Sequence, residues 1–286
     1  MKRIARSKEI LPPRIFIRKR QGKNAVTGGG NADIWKGTVE NESVCLKVLR
    51  IFLSDLNRQK LFKAVVSQSF AKEVLIWRQL RHPNILLLLG INMDEFHPSV
   101  TLISPWLAQG DILGFLEANP NHDRIRTLVE VSEGLKYLHE RTPTVFAEMH
   151  VSWTISSTSS TRGAVRWLAP ELLHPEHKPK PSTTRDIYSL GCTIYEIYAA
   201  KPPFAHIWNE LVVRSEILAG SRPSRPIDAE PIPEFVWDLA QNCWLHEPSS
   251  RPTIKSVLHT LMDDQTHLQY YQRLPASPFE LGRKGR

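Results

Sequence analysis

The sequence predicts an α+β protein of two parts, with short β-strands in the N-terminal part and helices in the C-terminal part. Short β-type runs begin at Ile15 and include an apolar strand over residues 42–49. Apolar residues recur at helical spacing over residues 124–140, which favours a long amphipathic helix. With 286 residues, the chain can bury a sizeable core as one large domain or as two lobes.

Composition places the chain among ordinary globular proteins. Hydrophobic residues make up 41% and charged residues 23%. No apolar run approaches the roughly 20 residues that cross a bilayer, so we expect no membrane span. Three cysteines, Cys45, Cys192 and Cys243, lie far apart within apolar patterns. This spacing favours reduced core thiols in an intracellular, cytoplasmic protein.

The net charge of +8 is concentrated at the two ends of the chain. Residues 1–23 carry nine Lys or Arg against one acid, Glu9. A basic arm can bind nucleic acid, anionic lipid or an import receptor, but it can also be a solvated terminus. The arm has no interleaved aromatic residue beyond Phe16 and no clear amphipathic face, so we favour the solvated terminus and expect no specific nucleic acid. We take residues 1–14 as a basic arm and residues 263–286 as a polar tail.

A glycine cluster lies between two strand patterns in residues 26–37. Gly28, Gly29 and Gly30 follow one another there. Glycines let the backbone approach a phosphate and leave amide groups free to donate to it. Three glycines also form an ordinary hairpin turn, so the cluster alone leaves both interpretations open.

A single lysine, Lys47, interrupts the apolar strand over residues 42–49. Such a lysine either protects an edge strand from pairing or is a buried cation with an anionic partner. The second interpretation requires a carboxylate on a neighbouring helix. A helix predicted at about residues 55–81 carries Glu73 within its apolar periodicity.

These features occur in an order that resembles the N-terminal lobe of a protein kinase, and Arg81-His82-Pro83-Asn84-Ile85 follows them as in that family. The resemblance implies that Lys47 holds the phosphates of ATP and pairs with Glu73. Residues 101–111, a strand pattern that ends in a turn, resemble the connection between kinase lobes. The resemblance places these residues at the nucleotide: Thr27, Gly28, Gly29, Gly30, Ala32, Ile34, Lys47, Glu73, Ser104, Trp106, Leu107 and Asp111.

The glycine loop departs from the family pattern at two positions. Thr27 stands at the first glycine and Ala32 at the third, whereas Gly29 matches the second and Ile34 the following valine. Small residues still permit a loop over phosphates. The altered motif therefore supports nucleotide binding less strongly than an intact glycine motif would. Within the connection, Ser104 takes the gatekeeper position, the backbone of residues 105–107 faces adenine, and Asp111 lies near the ribose.

The C-terminal part has an interruption where the family carries its chemistry. Residues 161–171, which end in Ala169-Pro170-Glu171, strongly resemble the end of a kinase activation segment. Between Asp123 and Asp186, however, the chain contains no aspartate or asparagine. In a kinase this interval holds the general base and both magnesium ligands, which are Asp, Asn and Asp. We therefore assign no catalytic residue and no metal ligand.

The spacing suggests that one block is missing near residues 147–153. In the family the catalytic aspartate lies on the order of 45 residues before the Glu of Ala-Pro-Glu, whereas 24 residues separate Ala147 from Glu171. Roughly 20–30 residues are then missing, with intact flanks, which indicates exon loss or a gene-model error. Glu148 or His150 could act as a base, but we favour an exposed linker because nothing replaces the magnesium ligands.

Downstream, the resemblance resumes and implies three structural residues. Asp186 would brace the catalytic loop, with a plain helix N-cap as the alternative. Arg251 would form an ion pair with Glu171. The serines and threonines of residues 154–161 are either activation-loop phosphosites or a flexible polar loop. Residues 174–181 are predicted to form a surface loop.

The resemblance extends over residues 15–262 apart from the missing block. It implies a two-lobed protein kinase-like fold with an N-lobe over 15–103, a hinge over 104–110 and a C-lobe over 111–262 that lacks its catalytic and magnesium-loop strands. The amino-acid sequence of the N-lobe, of the hinge and of residues 162–171 resembles that of the tyrosine-kinase-like group expanded in basidiomycete fungi.

The family activity is ATP-dependent phosphorylation of protein Ser/Thr or Tyr, with Mg²⁺ as a cofactor and a protein substrate or signalling partner. We expect this chain to be inactive, as a truncated isoform or a gene model. The alternative is a pseudokinase scaffold that binds nucleotide or partner proteins without phosphotransfer. An active enzyme that uses unorthodox residues is less favoured, and a basic nucleic-acid-binding module is less favoured still, because the charge is concentrated in the terminal arms.

Overall fold

The structure is a computed structural model that describes residues 15, 17, 19–21, 24–28, 32–49, 74–97, 99–141, 165–174, 182–226 and 231–263. These residues fall into two compact units, one ending at Ala108 and the other beginning at Gln109. Within these ranges, every helix is too short or too polar to span a bilayer. The two units are described one by one below.

The N-terminal unit is built on an antiparallel sheet. Its strands are β1 (Lys19–Gln21), β2 (Thr27–Gly28), β3 (Ala32–Val39), β4 (Glu42–Leu49), β5 (Gly90–Asn92) and β6 (Thr101–Pro105). Their order is β1-β3-β4-β6-β5, and β2 also pairs with β3. The described part of one helix, α1, covers residues 74–79.

Alternation along β4 determines which side chains lie on each face of the sheet. Val44, Leu46 and Val48 are buried, whereas the residues between them are half-buried. On the first face, Leu46 packs with Val44 and Ile103 under a cover of partly buried side chains that includes Ile15, Ile17, Trp35 and Phe96. On the opposite face, Leu102 packs with Val74 of α1 and with Leu88.

The C-terminal unit is helical. Its helices are α2 (Ile112–Ala118), α3 (Arg124–Glu140), α4 (Pro170–Leu173), α5 (Thr184–Ala199), α6 (Glu210–Leu218), α7 (Glu234–Cys243) and α8 (Ile254–Met262). Short 3₁₀ turns cover Val165–Trp167 and Pro248–Ser250.

Helix α5 lies at the centre of this unit and packs against α3 and α7. Ile187, Ile194 and Ile197 are at most 2% exposed. Gly191 permits the close approach of α7, since a Cβ there would lie 2.9 Å from Cβ of Cys243. Burial on nearly every side explains why α5 is apolar around most of its circumference.

The α+β prediction is confirmed, with the sheet in the N-terminal unit and the helices in the C-terminal unit. The strand predicted over residues 42–49 is β4, and the helix predicted over 124–140 is α3. The three cysteines are free thiols, of which Cys192 and Cys243 are buried. The domain boundaries stay a prediction.

Several predictions concern residues outside the described ranges. In the N-terminal part they are the basic arm 1–14, Gly29, Gly30, Glu73 and the predicted helix over residues 55–73. In the C-terminal part they are the junction near 147–153 with Glu148 and His150, the polar segment 154–161, the loop 174–181 except for its first residue, and the tail 263–286 except for its first residue.

Candidate functional site

Three of the residues predicted to contact the nucleotide form a row across the sheet. Thr27 lies opposite Ile34, and Ile34 lies opposite Lys47. Directly opposed residues of an antiparallel pair project from the same face, so these three side chains share one. Leu102 lies opposite Lys47 on the other side and packs with Val74, the residue that follows Glu73 in the sequence.

The setting of Lys47 decides between its two sequence interpretations. Strand β4 lies between β3 and β6, so it is not an edge strand and the edge-protecting interpretation is wrong. Lys47 is half-buried on the face that also carries Leu102. A lysine in this position projects its ammonium along a partly desolvated surface, where an anion is a favourable partner.

Ser104 is buried next to this row. It lies opposite Cys45 on β4, two residues from Lys47, and its hydroxyl hydrogen-bonds to the Cys45 thiol. Burial raises the pKa of the Cys45 thiol, while the Ser104 hydrogen bond and the charge of Lys47 partly oppose that rise. Cys45 is therefore a packing residue and not a reactive thiolate.

Residues Trp106 and Leu107 follow β6. The Trp106 amide donates to the carbonyl of Ser43 (3.2 Å), and the ammonium of Lys36 lies 5.3 Å from the centre of the Trp106 ring, within reach of a cation–π interaction. Leu107 is 42% exposed. Ala32, at the position of the third glycine, is buried at the start of β3.

Asp111 has a definite structural role as the N-cap of α2. Its Oδ1 accepts a hydrogen bond from the amide of Gly114 (2.9 Å), and its backbone is extended, as expected of a cap. The carboxylate satisfies one of the amides that the first helical turn leaves without a partner. The sequence carried this signal, because Asp111 stands directly before the apolar start of the helix.

In the C-terminal unit, Arg251 and Glu171 form a bidentate ion pair. The two distances, Nη1 to Oε1 and Nη2 to Oε2, are 2.8 and 2.9 Å. The Arg251 side chain is 0% exposed and that of Glu171 is 23% exposed. Arg251 also donates to the carbonyls of Thr184, Leu245 and His246.

Asp186 lies in the first turn of α5 and contacts the end of α3. Its Oδ2 is 3.0 Å from Nε2 of His139. The N-cap of α5 is Thr183, so the alternative assignment of Asp186 as a plain N-cap is wrong. Sequence reasoning missed His139 as its partner, because the contact joins residues 47 positions apart.

Arg185, the neighbour of Asp186, is another residue that the sequence did not single out. It is 7% exposed, and its Nε has no hydrogen-bond partner among the described residues. Burial lowers the pKa of its guanidinium, while the charges of Glu171 and Asp186 oppose that change. The two carboxylates therefore neutralise a second buried cation beside Arg251.

The segment before α4 is fixed by two side chains. Trp167 donates from Nε1 to Oε2 of Glu196 (3.0 Å), and its carbonyl accepts from Oγ of Ser189 (2.8 Å). Burial raises the pKa of the Glu196 carboxyl, although the Trp167 hydrogen bond partly opposes the rise. Arg166 donates to three carbonyls, those of Pro203, Phe204 and Ile207, at 2.5–2.9 Å.

Removal of the Glu171 carboxylate tests the ion pair. We expect Glu171→Ala to lower the free energy of unfolding by about 3 kcal/mol, because Arg251 would stay buried without a counter-charge. Glu171→Gln keeps two polar atoms at the site and should cost less. Urea unfolding followed by circular dichroism measures both, and an Ala variant within about 0.5 kcal/mol of the wild type would contradict the structural role.

The raised pKa of Glu196 predicts that the stability of the folded chain depends on pH. Because its pKa is raised in the folded chain, the folded state binds the proton more tightly than the unfolded state does. The favourable contribution of Glu196 to the free energy of unfolding is complete below the unfolded-state pKa of about 4.3. It is lost as the pH rises through the folded-state pKa. Glu196→Gln keeps an acceptor for Trp167, so its Tm advantage over the wild type should grow as pH rises from about 4 to 7. Glu117→Gln, at an exposed position, is the matched control.

Asp111 can be tested as a helix cap. Asp111→Asn retains an N-cap acceptor and should leave stability nearly unchanged, whereas Asp111→Ala should cost about 1 kcal/mol. Chemical denaturation of the two variants separates a cap from a residue that has no structural role. Equal midpoints for Ala and Asn would refute the cap.

Two models of kinase domains match consecutive parts of the chain. The model described as "Protein tyrosine and serine/threonine kinase" matches residues 21–144, and the one described as "Protein kinase domain" matches residues 146–262. The first match therefore covers strands β2 to β6 and helices α1 to α3, and the second covers α4 to α8.

Relatives of known function are also kinases. The chain is 23% identical to serine/threonine-protein kinase STY17 of Arabidopsis thaliana, over 85% of this chain and 45% of the relative. It is 24% identical to serine/threonine/tyrosine-protein kinase HT1 of the same plant, over 83% of this chain and 64% of the relative. It is 25% identical to a probable serine/threonine-protein kinase, pats1 of Dictyostelium discoideum, over 80% of this chain and 8% of the relative.

The alignments are longer than the parts of this chain that they cover. The alignment with STY17 runs over 273 residues, whereas 85% of 286 residues is about 243. That with HT1 runs over 264 residues, whereas 83% of 286 is about 237. Within the matched region STY17 and HT1 thus each have about 30 residues in total without a counterpart in this chain.

The chain spans less than half of the length of STY17 and under two thirds of that of HT1, so the comparisons concern a domain and not the whole of those proteins. The two family matches together cover most of residues 21–262, and the described part of that range has the expected sheet and helices. The chain therefore contains a protein kinase domain.

Proposed function

We propose that this chain, as written, is a protein kinase domain that does not transfer phosphate. One observation carries the proposal: the sequence between Asp123 and Asp186 contains no aspartate or asparagine. Phosphoryl transfer in this family depends on an aspartate that orients the attacking hydroxyl and on Asp and Asn side chains that hold Mg²⁺. A chain without these side chains lacks the means to neutralise the charge that develops on the transferred group.

The acids that remain in this interval do not fit a magnesium site. Mg²⁺ requires a near-octahedral set of oxygen ligands, usually with one or two carboxylates that are free to bind it. Three of the described glutamates there already form ion pairs, which are Glu130 with Arg126, Glu133 with Lys136, and Glu171 with Arg251. We therefore derive no reaction step through Mg²⁺.

The form of the loss supports a truncated product of a kinase gene. The two family matches end and begin at residues 144 and 146, next to the predicted junction. Summed over the whole alignment, STY17 and HT1 each have about 30 residues without a counterpart here, a total that can accommodate the block of roughly 20–30 residues that the spacing of the sequence predicts. A product that contained the block would carry out the family reaction, with transfer of the ATP γ-phosphoryl group to a Ser/Thr or Tyr hydroxyl.

The alternative is a pseudokinase scaffold, and the retained framework favours it. The ion pair between Arg251 and Glu171 and the contact between His139 and Asp186 are both present in the C-terminal unit. In the N-terminal unit, Thr27, Ile34 and Lys47 keep their row on one face. These residues support binding of the ATP phosphates without their transfer, and a signalling protein as the partner.

The subgroup stays a proposal. The amino-acid sequence of residues 162–171, of the N-lobe and of the hinge favours assignment to the tyrosine-kinase-like proteins expanded in basidiomycete fungi. The plant and amoebal relatives support a kinase of the serine/threonine type but do not distinguish this subgroup.

The activity test uses the purified chain with γ-labelled ATP, MgCl₂ or MnCl₂, and casein. We expect no label on casein or on the chain above that seen with Lys47→Ala. ATP binding, measured by calorimetry, should be unchanged by EDTA and weakened at least about 10-fold by Lys47→Ala, which removes the charge that pairs with phosphate. Lys136→Ala, which removes a surface lysine, serves as the matched control.

Label transfer that is lost in Lys47→Ala would overturn the proposal. Sequencing of the transcript across the codons for Val145 to Ser156 separates the two inactive alternatives. An additional segment of some 20–30 codons with a His-x-Asp loop and an Asp-Phe-Gly would identify the working product as a conventional kinase. A continuous junction as the sole form would leave the scaffold.

A further inference from the structure

Arg185, the second residue of α5, is a buried cation with an unsatisfied donor. It is 7% exposed, and its Nε is enclosed without a hydrogen-bond partner among the described residues. Buried arginines are normally paired, because a charged donor left without an acceptor loses its hydration and gains nothing in return. The neighbouring Arg251 follows this rule, since it donates to Glu171 and to three backbone carbonyls. An acceptor is therefore missing at Arg185.

The missing partner of Arg185 is a hydrogen-bond acceptor and not a counter-charge. The charges of Glu171 and Asp186 already oppose the decrease in the guanidinium pKa that burial causes. The oxygens of these carboxylates are directed elsewhere, because both oxygens of Glu171 accept from Arg251 and Oδ2 of Asp186 lies 3.0 Å from Nε2 of His139. A further carboxylate or a phosphate would be repelled by the two groups. A neutral acceptor, such as a backbone carbonyl, fits the position best.

Helix α5 contacts the chain on both sides of the interval in which the block is missing. Before the interval, His139 contacts Asp186, the residue that follows Arg185. After the interval, the carbonyl of Trp167 accepts from Oγ of Ser189 (2.8 Å). The same hydroxyl also donates to the carbonyl of Arg185 (3.3 Å). The first turns of α5 therefore bind both flanks of the interval, and Arg185 lies within them.

The missing block enters the chain close to Arg185. The two family matches end and begin at residues 144 and 146, so the block would start about six residues after His139. Six residues span at most roughly 20 Å when they are fully extended. Because His139 itself contacts Asp186, the first residues of the block can reach the Arg185 guanidinium.

We propose that Arg185 is a positioning residue for the missing block. In a product that contains the block, its guanidinium donates to a backbone carbonyl of the block and holds the block against the first turn of α5. This role rests on the proposed function, in which a kinase product has lost the block. It goes beyond that function, because the family resemblance assigns the bracing of the catalytic loop to Asp186 and gives Arg185 no part in it.

The substitution Arg185→Met, made in the chain as written and in a product with the block, tests this role. In the chain as written it removes a donor that has no acceptor. In the product with the block it removes a hydrogen bond that is made, so the Tm should fall by at least about 4 °C more there than in the chain as written. Arg222→Met is the matched control, since Arg222 already donates to the carbonyls of Trp244 and Ser221 and its loss should lower both Tm values equally.

Phosphotransfer to casein by the product with the block adds a readout that stability alone does not change. Where the transcript lacks the block, the residues of HT1 that align with the gap are inserted between residues 144 and 146. At about 15 °C below the lowest Tm, where every variant is folded, Arg185→Met should lower kcat about 10-fold and change the KM for ATP less than about twofold. Arg185→Lys, which keeps a cationic donor, should recover part of the loss, and Arg222→Met should leave kcat within about twofold.

Effects of Arg185→Met on the two Tm values that agree within about 1 °C would overturn the proposal, as would an unchanged kcat. A free anion as the partner would also overturn it. Sodium phosphate would then raise the Tm of the chain as written above its value in sodium chloride of equal ionic strength, and Arg185→Met would abolish that rise.

Failure of the proposed function would be a separate result. It would appear as phosphotransfer by the chain as written, or as a product with the block that is folded and inactive. The comparison of Tm values decides the role of Arg185 in either case, because it does not depend on activity.

Discussion

The buried guanidinium of Arg251 is the interaction on which the C-terminal unit depends. Its five N–H groups all have acceptors: two on Glu171 and three on the carbonyls of Thr184, Leu245 and His246. One side chain thereby joins α4, the start of α5 and the turn after α7. A lysine could not replace it, because an ammonium group has three donors and lacks the planar fork that matches a carboxylate.

Around this centre, the charges of the unit balance one another. Arg185 is a second buried cation, and Glu171 and Asp186 oppose the effect of burial on its guanidinium pKa. The guanidinium groups of Arg222 and Arg251 each lie 5.1 Å from the centre of the Tyr188 ring. The buried charges are therefore tolerated because carboxylates, carbonyls and an aromatic face surround them, a requirement that a low-dielectric interior imposes.

The sequence predicted those features that depend on local pattern. Strand β4 and helix α3 follow from periods of 2 and 3.6 in apolar residues, and their bounds agree with the prediction. The cap role of Asp111 was also readable, although the family resemblance directed attention to the ribose instead. The contact between His139 and Asp186 and the hold of Arg166 on residues 203–207 were not predictable. They depend on where distant backbone and side chains meet in space, and no periodicity encodes that.

The family resemblance assigned nucleotide binding to Thr27, Ile34 and Lys47. The strand pairing in the structure shows that these three side chains share one face of the sheet. A strand lysine with apolar neighbours is compatible with an edge strand and with a central strand. The order of the strands distinguishes the two, because β6 lies beside β4 and makes β4 a central strand. The partner expected for Lys47, Glu73, lies outside the described residues. The neighbouring residue Val74 packs on Leu102, which lies opposite Lys47.

Two contacts of the described C-terminal unit involve only residues on the flanks of the interval in which the family carries its catalytic groups. His139 pairs with Asp186 and Glu171 pairs with Arg251, and these four residues lie outside residues 142–164. A loss confined to that interval removes catalytic groups without removing a member of either pair. Arg166, directly after the interval, likewise joins its segment to the described framework, because it donates to the carbonyls of Pro203, Phe204 and Ile207.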